Sequence, residues 1–226
     1  MRKSKDQQAV KATSIPNHTL VMLSGGIDST AALWHALNRP DEYGQIHVHH
    51  IHIQNAESRW EAEAAAVNSI LEYMKKHSPT SFTSSQSTIN TPNFGPNFLF
   101  DTELLNFMTG YMTSRDPHIS KVIIGGTATD FAMQANEAIA RGKAIHNGFH
   151  PEEKDHSARV KHYPHSHLTK AEVYKTLPKG LALMTWSCRT PNYVNGKPVE
   201  CGRCKTCRLE LSSIKRPISV GRKTFK

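Results

Sequence analysis

The run Leu20-Val-Met-Leu-Ser-Gly-Gly-Ile-Asp-Ser-Thr30 carries an apolar strand into a glycine pair and straight into a helix start. No other stretch constrains the fold as strongly. Without Cβ atoms, Gly25 and Gly26 let the backbone turn sharply and bring N–H groups against phosphate oxygens. The helix beginning near Asp28 adds its unpaired amides and the positive end of its dipole. Ser24, Ser29 and Thr30 contribute hydroxyl donors, while Met22, Leu23 and Ile27 flank the turn. A Walker loop needs G-x-x-x-x-G-K-[ST], and no lysine stands at this helix start, which disfavours kinases and GTPases. An ordinary strand-to-helix turn with capping serines explains a bare glycine pair better than it explains the whole string Ser24 to Ser29.

A length of 226 residues allows one sizeable α/β core and is short for two full domains. Only 38% of the residues are apolar and no apolar run approaches about 18 residues, so no membrane span is expected. Residues 1–17 carry Arg2, Lys3, Lys5 and Lys11 without an apolar stretch, and read as a flexible basic tail of a cytosolic protein, not as a secretory signal. A formal charge of +9 suits a nucleoside triphosphate and an anionic substrate, and permits weak attraction to nucleic acid. The basic residues are scattered and lack interleaved aromatics, so nucleic-acid binding is the secondary reading.

From residue 18 to 187 strand and helix patterns alternate, the signature of a parallel sheet with helices on both faces. Strands are expected at Thr19 to Leu23, Gln45 to Ile53, Ser81 to Ile89 and Lys121 to Ile124. Helices are expected at Asp28 to Asn38, Ala56 to His77, Asp101 to Ser114 and Phe131 to Arg141. Thr169 and Glu172 form a capping box for a helix running to Leu177. Gly142 to Tyr163 shows no periodicity and reads as a long loop, with a lid expected over 142–165. Phe107, Met108 and Met112 lie at helical spacing and are expected in the core.

All four cysteines, Cys188, Cys201, Cys204 and Cys207, fall within twenty residues. Two C-x-x-C steps share Cys204, and a loop brings Cys188 back to complete a tetrahedral set of soft ligands. Arg203, Lys205 and Arg208 offset the charge of such a tetrathiolate. The site is closed, so it staples an appendage over 188–212, ahead of a second basic tail over 213–226. Disulfides are disfavoured by the tight spacing. An iron–sulfur cluster is the stronger competitor, but its usual fourth ligand followed by proline is missing, so zinc is favoured.

The string Ser24-Gly-Gly-Ile-Asp-Ser29 resembles the PP-loop of ATP pyrophosphatases, which split ATP between its α and β phosphates and leave AMP on a substrate oxygen. With His167-Leu-Thr-Lys-Ala-Glu172, Thr185-Trp-Ser-Cys188 and Glu200-Cys-Gly-Arg-Cys-Lys-Thr-Cys207, the chain from about residue 19 to 211 resembles the 7-cyano-7-deazaguanine (preQ0) synthase family. The resemblance implies a Rossmann-like nucleotide α-hydrolase fold, zinc on the four cysteines, and frequently a homodimer. It also implies ATP-dependent adenylation of 7-carboxy-7-deazaguanine, displacement of AMP by ammonia to give an amide, and dehydration to the nitrile with a second ATP.

On this reading ATP rests on Met22 to Thr30 with Gly125 and Gly126, and Ser24, Asp28, Ser29 and Lys170 serve catalysis together with a magnesium ion. Asp28 shapes the loop or reaches a magnesium-bound water. Lys170 neutralises phosphate charge, unless it is simply a solvated residue of a first helical turn. Asn97, Thr127 and Asp130 are expected to border the base.

The chain departs from the family where substrate is read. Phe131 to Glu137 replaces a Tyr-Pro-Asp-Cys-Arg stretch, Gly95-Pro96-Asn97 stands for Gly-Arg-Asn, and Ile53-Gln-Asn55 for Tyr-Gly-Gln. Hence a divergent paralogue with a related carboxylate or another product, a tRNA-modifying PP-loop enzyme, and a non-catalytic nucleotide-binding module stay in view. Among the histidines, His47 with His49 and His50 with His52 are expected on opposite faces of one strand, hydrogen-bonded or partly exposed and not metal-bound.

Overall fold

A computed structural model describes residues 18–91, 101–130, 136–152 and 160–209. Five parallel strands form one sheet in the order β3-β2-β1-β4-β5: β1 His18–Met22, β2 Gln45–Gln54, β3 Phe82–Asn90, β4 Ile119–Ile123 and β5 Val160–His162. β1 lies between β2 and β4, so the strand order reverses beside it. In open parallel sheets this reversal, at the carboxyl ends of the strands, opens a crevice for ligands.

α1 (Ile27–Leu37) and α3 (Trp60–His77) cover one face. They bury Ala31, Leu33, Val67, Ile70 and Met74 against Val21, Leu23 and Val48 of the sheet. Each large side chain so enclosed contributes roughly 1.5–3 kcal/mol. A four-residue helix, α2 (Pro40–Tyr43), joins α1 to β2. On the other face α4 (Asp101–Arg115) lays Leu105, Met108 and Met112 over Leu20, Met22, Ile51, Val122 and Ile124. Phe107 does not join them. It is 46% exposed and rests edge-on against Phe149, because it lies on the outer side of α4.

The segment expected to be a loop from Gly142 is ordered at both ends. α5 runs Asn136–Asn147, six residues beyond the expected helix end, and β5 then pairs with β4. Two polar bridges hold α4 to this region, Thr109 to His146 at 3.0 Å and Thr113 to His150 at 2.9 Å. Gly142 fits because a Cβ there would approach Asn106 to 2.7 Å. A helix packed through hydroxyls, imidazoles and a glycine leaves no apolar period to read. Residues 153–159 of the expected lid, the helix start at 131–135, Asn97 with the string around it, and both tails lie outside the described residues.

α3 starts at Trp60 and not at Ala56. Asn55 accepts the Glu57 amide at 3.0 Å and Ser58 takes φ +49, a tight turn that precedes the helix. α6 (Lys170–Thr176) carries the expected capping box, with Thr169 and Glu172 satisfying each other's backbone amides. Thr169→Ala removes that cap at a cost of about 1 kcal/mol. A thermal melt should show its Tm falling by roughly 2–4 °C. A short α7 follows at Lys179–Ala182. The described residues end with a hairpin, β6 (Asn192–Val194) and β7 (Lys197–Val199), and α8 (Lys205–Leu209). Asn195 and Gly196 turn the hairpin at φ +50 and +70, the pair of positive angles that Asn-Gly adopts readily. No helix among the described residues is long and apolar enough to cross a membrane.

Candidate functional site

At the strand-order reversal lies a cavity of about 310 Å³. Of the residues expected at the nucleotide site, Met22, Leu23, Ser24, Gly26, Ile27, Asp28, Ser29 and Gly125 line it, and so do Asp130 and Lys170. The remaining described ones serve from behind. Gly25 takes φ +82, and a Cβ on it would press the Glu63 carbonyl at 3.0 Å and Val67 at 3.3 Å. Thr30 is wholly buried and its hydroxyl donates to the Gly26 carbonyl at 2.8 Å. Gly126 is buried beside Gly125. Thr127, 0% exposed, fastens Asp130 by giving Oδ2 its amide at 2.8 Å and its hydroxyl at 2.9 Å.

The Ser24–Ser29 turn is held in shape by its own hydroxyls. The Ser24 amide donates to Ser29 Oγ at 3.1 Å, the two serine hydroxyls lie 3.0 Å apart, and the Gly26 amide donates to Ser24 Oγ at 3.3 Å. Gly26 is the N-cap of α1 and no side chain caps the helix. Backbone donors of the first turn therefore face the cavity at the positive end of an eleven-residue helix, an arrangement suited to an anion. Lys170, the first residue of α6, places Nζ 3.1 Å from Asp28 Oδ2, and both side chains are largely buried. Its cation is thus held at the cradle, not out in solvent.

Sequence reasoning missed the opposite wall. Arg59, at the turn before α3, pairs with Glu57 and Glu63 at 2.6 Å each and with Asp101 of α4. Arg189, just after Cys188, reaches the same Asp101 at 2.9 Å and Glu57 at 3.0 Å. Burial pushes the Glu63 carboxyl up to about 7 against the pull of Arg59. Burial would also raise Asp101, but two guanidinium groups hold it below the usual carboxylate range. Between this wall and the cradle runs an apolar slot of Met22, Ile51, Ile53, Leu105 and Ile124, with His49 lining it as well. Three stretches distant in sequence, residues 57–63, Asp101 and Arg189, build the ion-pair wall. No local motif announces them.

The four cysteine sulfurs lie within 4.8 Å of one another, a spread that fits four thiolates around one ion. Amides of Cys201, Cys204 and Cys207 donate to the sulfurs of Cys188, Cys201 and Cys204 at 3.3, 3.3 and 3.4 Å. Burial pushes the Cys188 thiol up to about 11. Burial acts on Cys201 too, yet the Thr190 hydroxyl and the amides of Arg203 and Cys204 outweigh it and bring that thiol down to about 6. This cluster is tied to the cradle. The Trp186 amide donates to the Gly25 carbonyl at 2.8 Å, Trp186 Nε1 to the Cys188 carbonyl at 3.0 Å, and Thr206 to the Ser187 carbonyl at 2.7 Å.

No curated protein matches the chain. A solved structure that it resembles is U34-tRNA thiolase NcsA from Methanococcus maripaludis, described with its 4Fe-4S cluster, at 13% identity and a TM-score of 0.47. The likeness covers 88% of this chain and spans 65% of the length of that one. The family described as Queuosine biosynthesis protein QueC matches residues 18–216, most of the protein and every described element. The chain belongs to the Queuosine biosynthesis protein QueC family.

Proposed function

We propose that the protein uses ATP to adenylate the carboxylate of 7-carboxy-7-deazaguanine or a close analogue, releasing pyrophosphate, and that ammonia then displaces AMP towards the amide and nitrile. The observation that carries this reading is the uncapped start of α1, which faces the cavity with Lys170 at its rim. A carboxylate resists ammonia because its charge repels the nucleophile and oxide is a poor leaving group. Conversion to an acyl adenylate removes both obstacles. The cradle holds the departing pyrophosphate through donors that are already oriented, so no reorganisation is needed as charge moves onto it. A flat base fits the apolar slot, with its polar edge turned to the Arg59, Glu63 and Asp101 wall.

Asp28 is the carboxylate that would hold a magnesium-bound water at the phosphates, where the ion would neutralise their charge. The close sulfur cluster favours a single zinc ion, since an iron–sulfur cube sets each thiolate on a separate iron and spreads them wider. Incubation with 7-carboxy-7-deazaguanine, ATP and ammonium should yield pyrophosphate, AMP and, by mass spectrometry, the amide or nitrile. Lys170→Ala should lower pyrophosphate release by roughly 10²-fold or more. Wild-type protein that releases none from this acid or its close analogues would sink the reading.

A further inference from the structure

Parallel pairing sets His47 beside Thr83, His49 beside Ser85 and Ile51 beside Ser87. Side chains two apart share a face, so two imidazoles of β2 and three hydroxyls of β3 form one row. His47 Nδ1 lies 2.7 Å from Thr83 Oγ1 and its Nε2 2.7 Å from Ser85 Oγ. His49 Nδ1 lies 2.8 Å from the same Ser85 Oγ and its Nε2 2.9 Å from Ser87 Oγ. Every ring nitrogen in the row is used. One end, Thr83, is exposed, while His49 is 5% exposed and lines the cavity.

Simple satisfaction of buried polar groups needs no such continuity. Burial lowers both imidazoles, His49 to about 4, so each is neutral near pH 7 with one N–H and one lone pair. The charged and titratable groups acting on this row are His18 and Asp116, which bear on His47. On the opposite face of β2, His50 bonds the Leu23 carbonyl and His52 bonds Gln86. Ser85 has one proton to give to two rings. If it donates to His47, it accepts from His49, and both rings carry the proton on Nδ1; the reverse order puts both on Nε2.

We propose that Ser87, His49, Ser85, His47 and Thr83 form a proton relay that drains the cavity during the amide-forming step. The inference rests on the adenylation reading above. Ammonium must lose one proton to become the nucleophile. As the C–N bond forms and the C–O bond to AMP breaks, nitrogen loses a second, which the departing phosphate oxygen takes. Ser87 pairs in register with Ile51 and bonds His49, both of which line the cavity, so the first proton enters the row at Ser87, whose own proton passes to His49 Nε2. His49 Nδ1–H moves to Ser85, Ser85 gives its proton to His47 Nε2, and His47 Nδ1–H moves to Thr83, which releases a proton to solvent. Both rings end in the other tautomer, ready to turn back together.

Ser85→Ala cuts the row at its middle while leaving each ring one partner, and a half-buried edge-strand position tolerates it; an unchanged Tm verifies the fold. The amide formed per pyrophosphate released should fall at least roughly ten-fold, with a smaller solvent deuterium isotope effect. Ser85→Thr keeps the hydroxyl and should restore both. A wild-type ratio and isotope effect in Ser85→Ala would overturn the relay. Nitrogen-15 NMR of the resting protein tests it without turnover. His47 and His49 should show the same tautomer, and opposite tautomers would block the row at Ser85 and refute it. Matched tautomers in a protein that releases no pyrophosphate would count against the adenylation reading while supporting the wire.

Discussion

Gly125→Ala should abolish nucleotide binding, with ATP affinity by calorimetry falling about 100-fold or more. A Cβ at this position, just past the end of β4, would stand 2.4 Å from the Ser29 amide nitrogen and 2.6 Å from both Asp28 C and Ser29 Cα. These are backbone atoms of the first turn of α1, so no side chain can swing aside. The end of β4 must move off the helix start by about 1 Å, and overpacking of this kind costs about 1–3 kcal/mol. The same movement displaces the amides that the proposed pyrophosphate needs, so binding is weakened in addition to the cost in folding.

The neighbouring glycines make the comparison sharp. Gly25→Ala meets φ +82 and the Glu63 carbonyl at 3.0 Å, an intermediate penalty. Gly26→Ala meets nothing closer than Ser24 Oγ at 3.4 Å at an ordinary φ of −76, and should melt near the wild type. Wild-type affinity in Gly125→Ala would show that the two segments do not need their close approach to hold ATP.

That pattern of glycines also explains why the cradle was legible in the sequence. Strand, glycine pair and helix start are local, and the apolar runs of β1 and of α1 differ in period, so the eleven residues Leu20 to Thr30 carry the whole signal. The cysteine cluster is legible for the same reason: its ligands lie within one short span. Even β3, rich in serine, could be read as a strand, and its hydroxyls prove to be bonded to the histidines of β2. Elements built on contacts between distant residues stayed hidden. α5 meets α4 through Thr109 against His146 and Gly142 against Asn106, so its extent past Arg141 has no hydrophobic period. The wall of Arg59, Glu63, Asp101 and Arg189 joins positions up to 130 residues apart, and each looks like an ordinary surface charge until the sheet brings them together. The Asn195-Gly196 hairpin, absent from the expectations above, also carries a local signal in its Asn-Gly pair.

Removing the metal expected on the four cysteines should unsettle the nucleotide site as well as the appendage. The segment Trp186 to Arg189 is gripped at both ends. Trp186 donates its amide to the Gly25 carbonyl at the back of the cradle, and Arg189 clamps Glu57 and Asp101 on the far wall. The Tyr193 hydroxyl of the hairpin adds a bond to the Ser58 carbonyl at 2.7 Å. Between these anchors Cys188 belongs to the sulfur cluster, while Ser187 is fixed by Thr206 within it. A residue span this small has little core of its own, so structural metal in such a unit contributes folding free energy directly, of order 10 kcal/mol in the smallest cases. Here the hairpin and the ion pairs share the load, and a loss of about 3–5 kcal/mol corresponds to a Tm lower by roughly 10 °C. Chelation, or Cys204→Ser, should give that shift, open residues 190–209 to protease, and weaken ATP binding by freeing Gly25 from Trp186. Elemental analysis should find one zinc per chain before chelation. Stripped protein that melted and bound ATP like the untreated sample would show that the hairpin and ion pairs alone hold the cradle, and that the cysteines serve something other than its geometry.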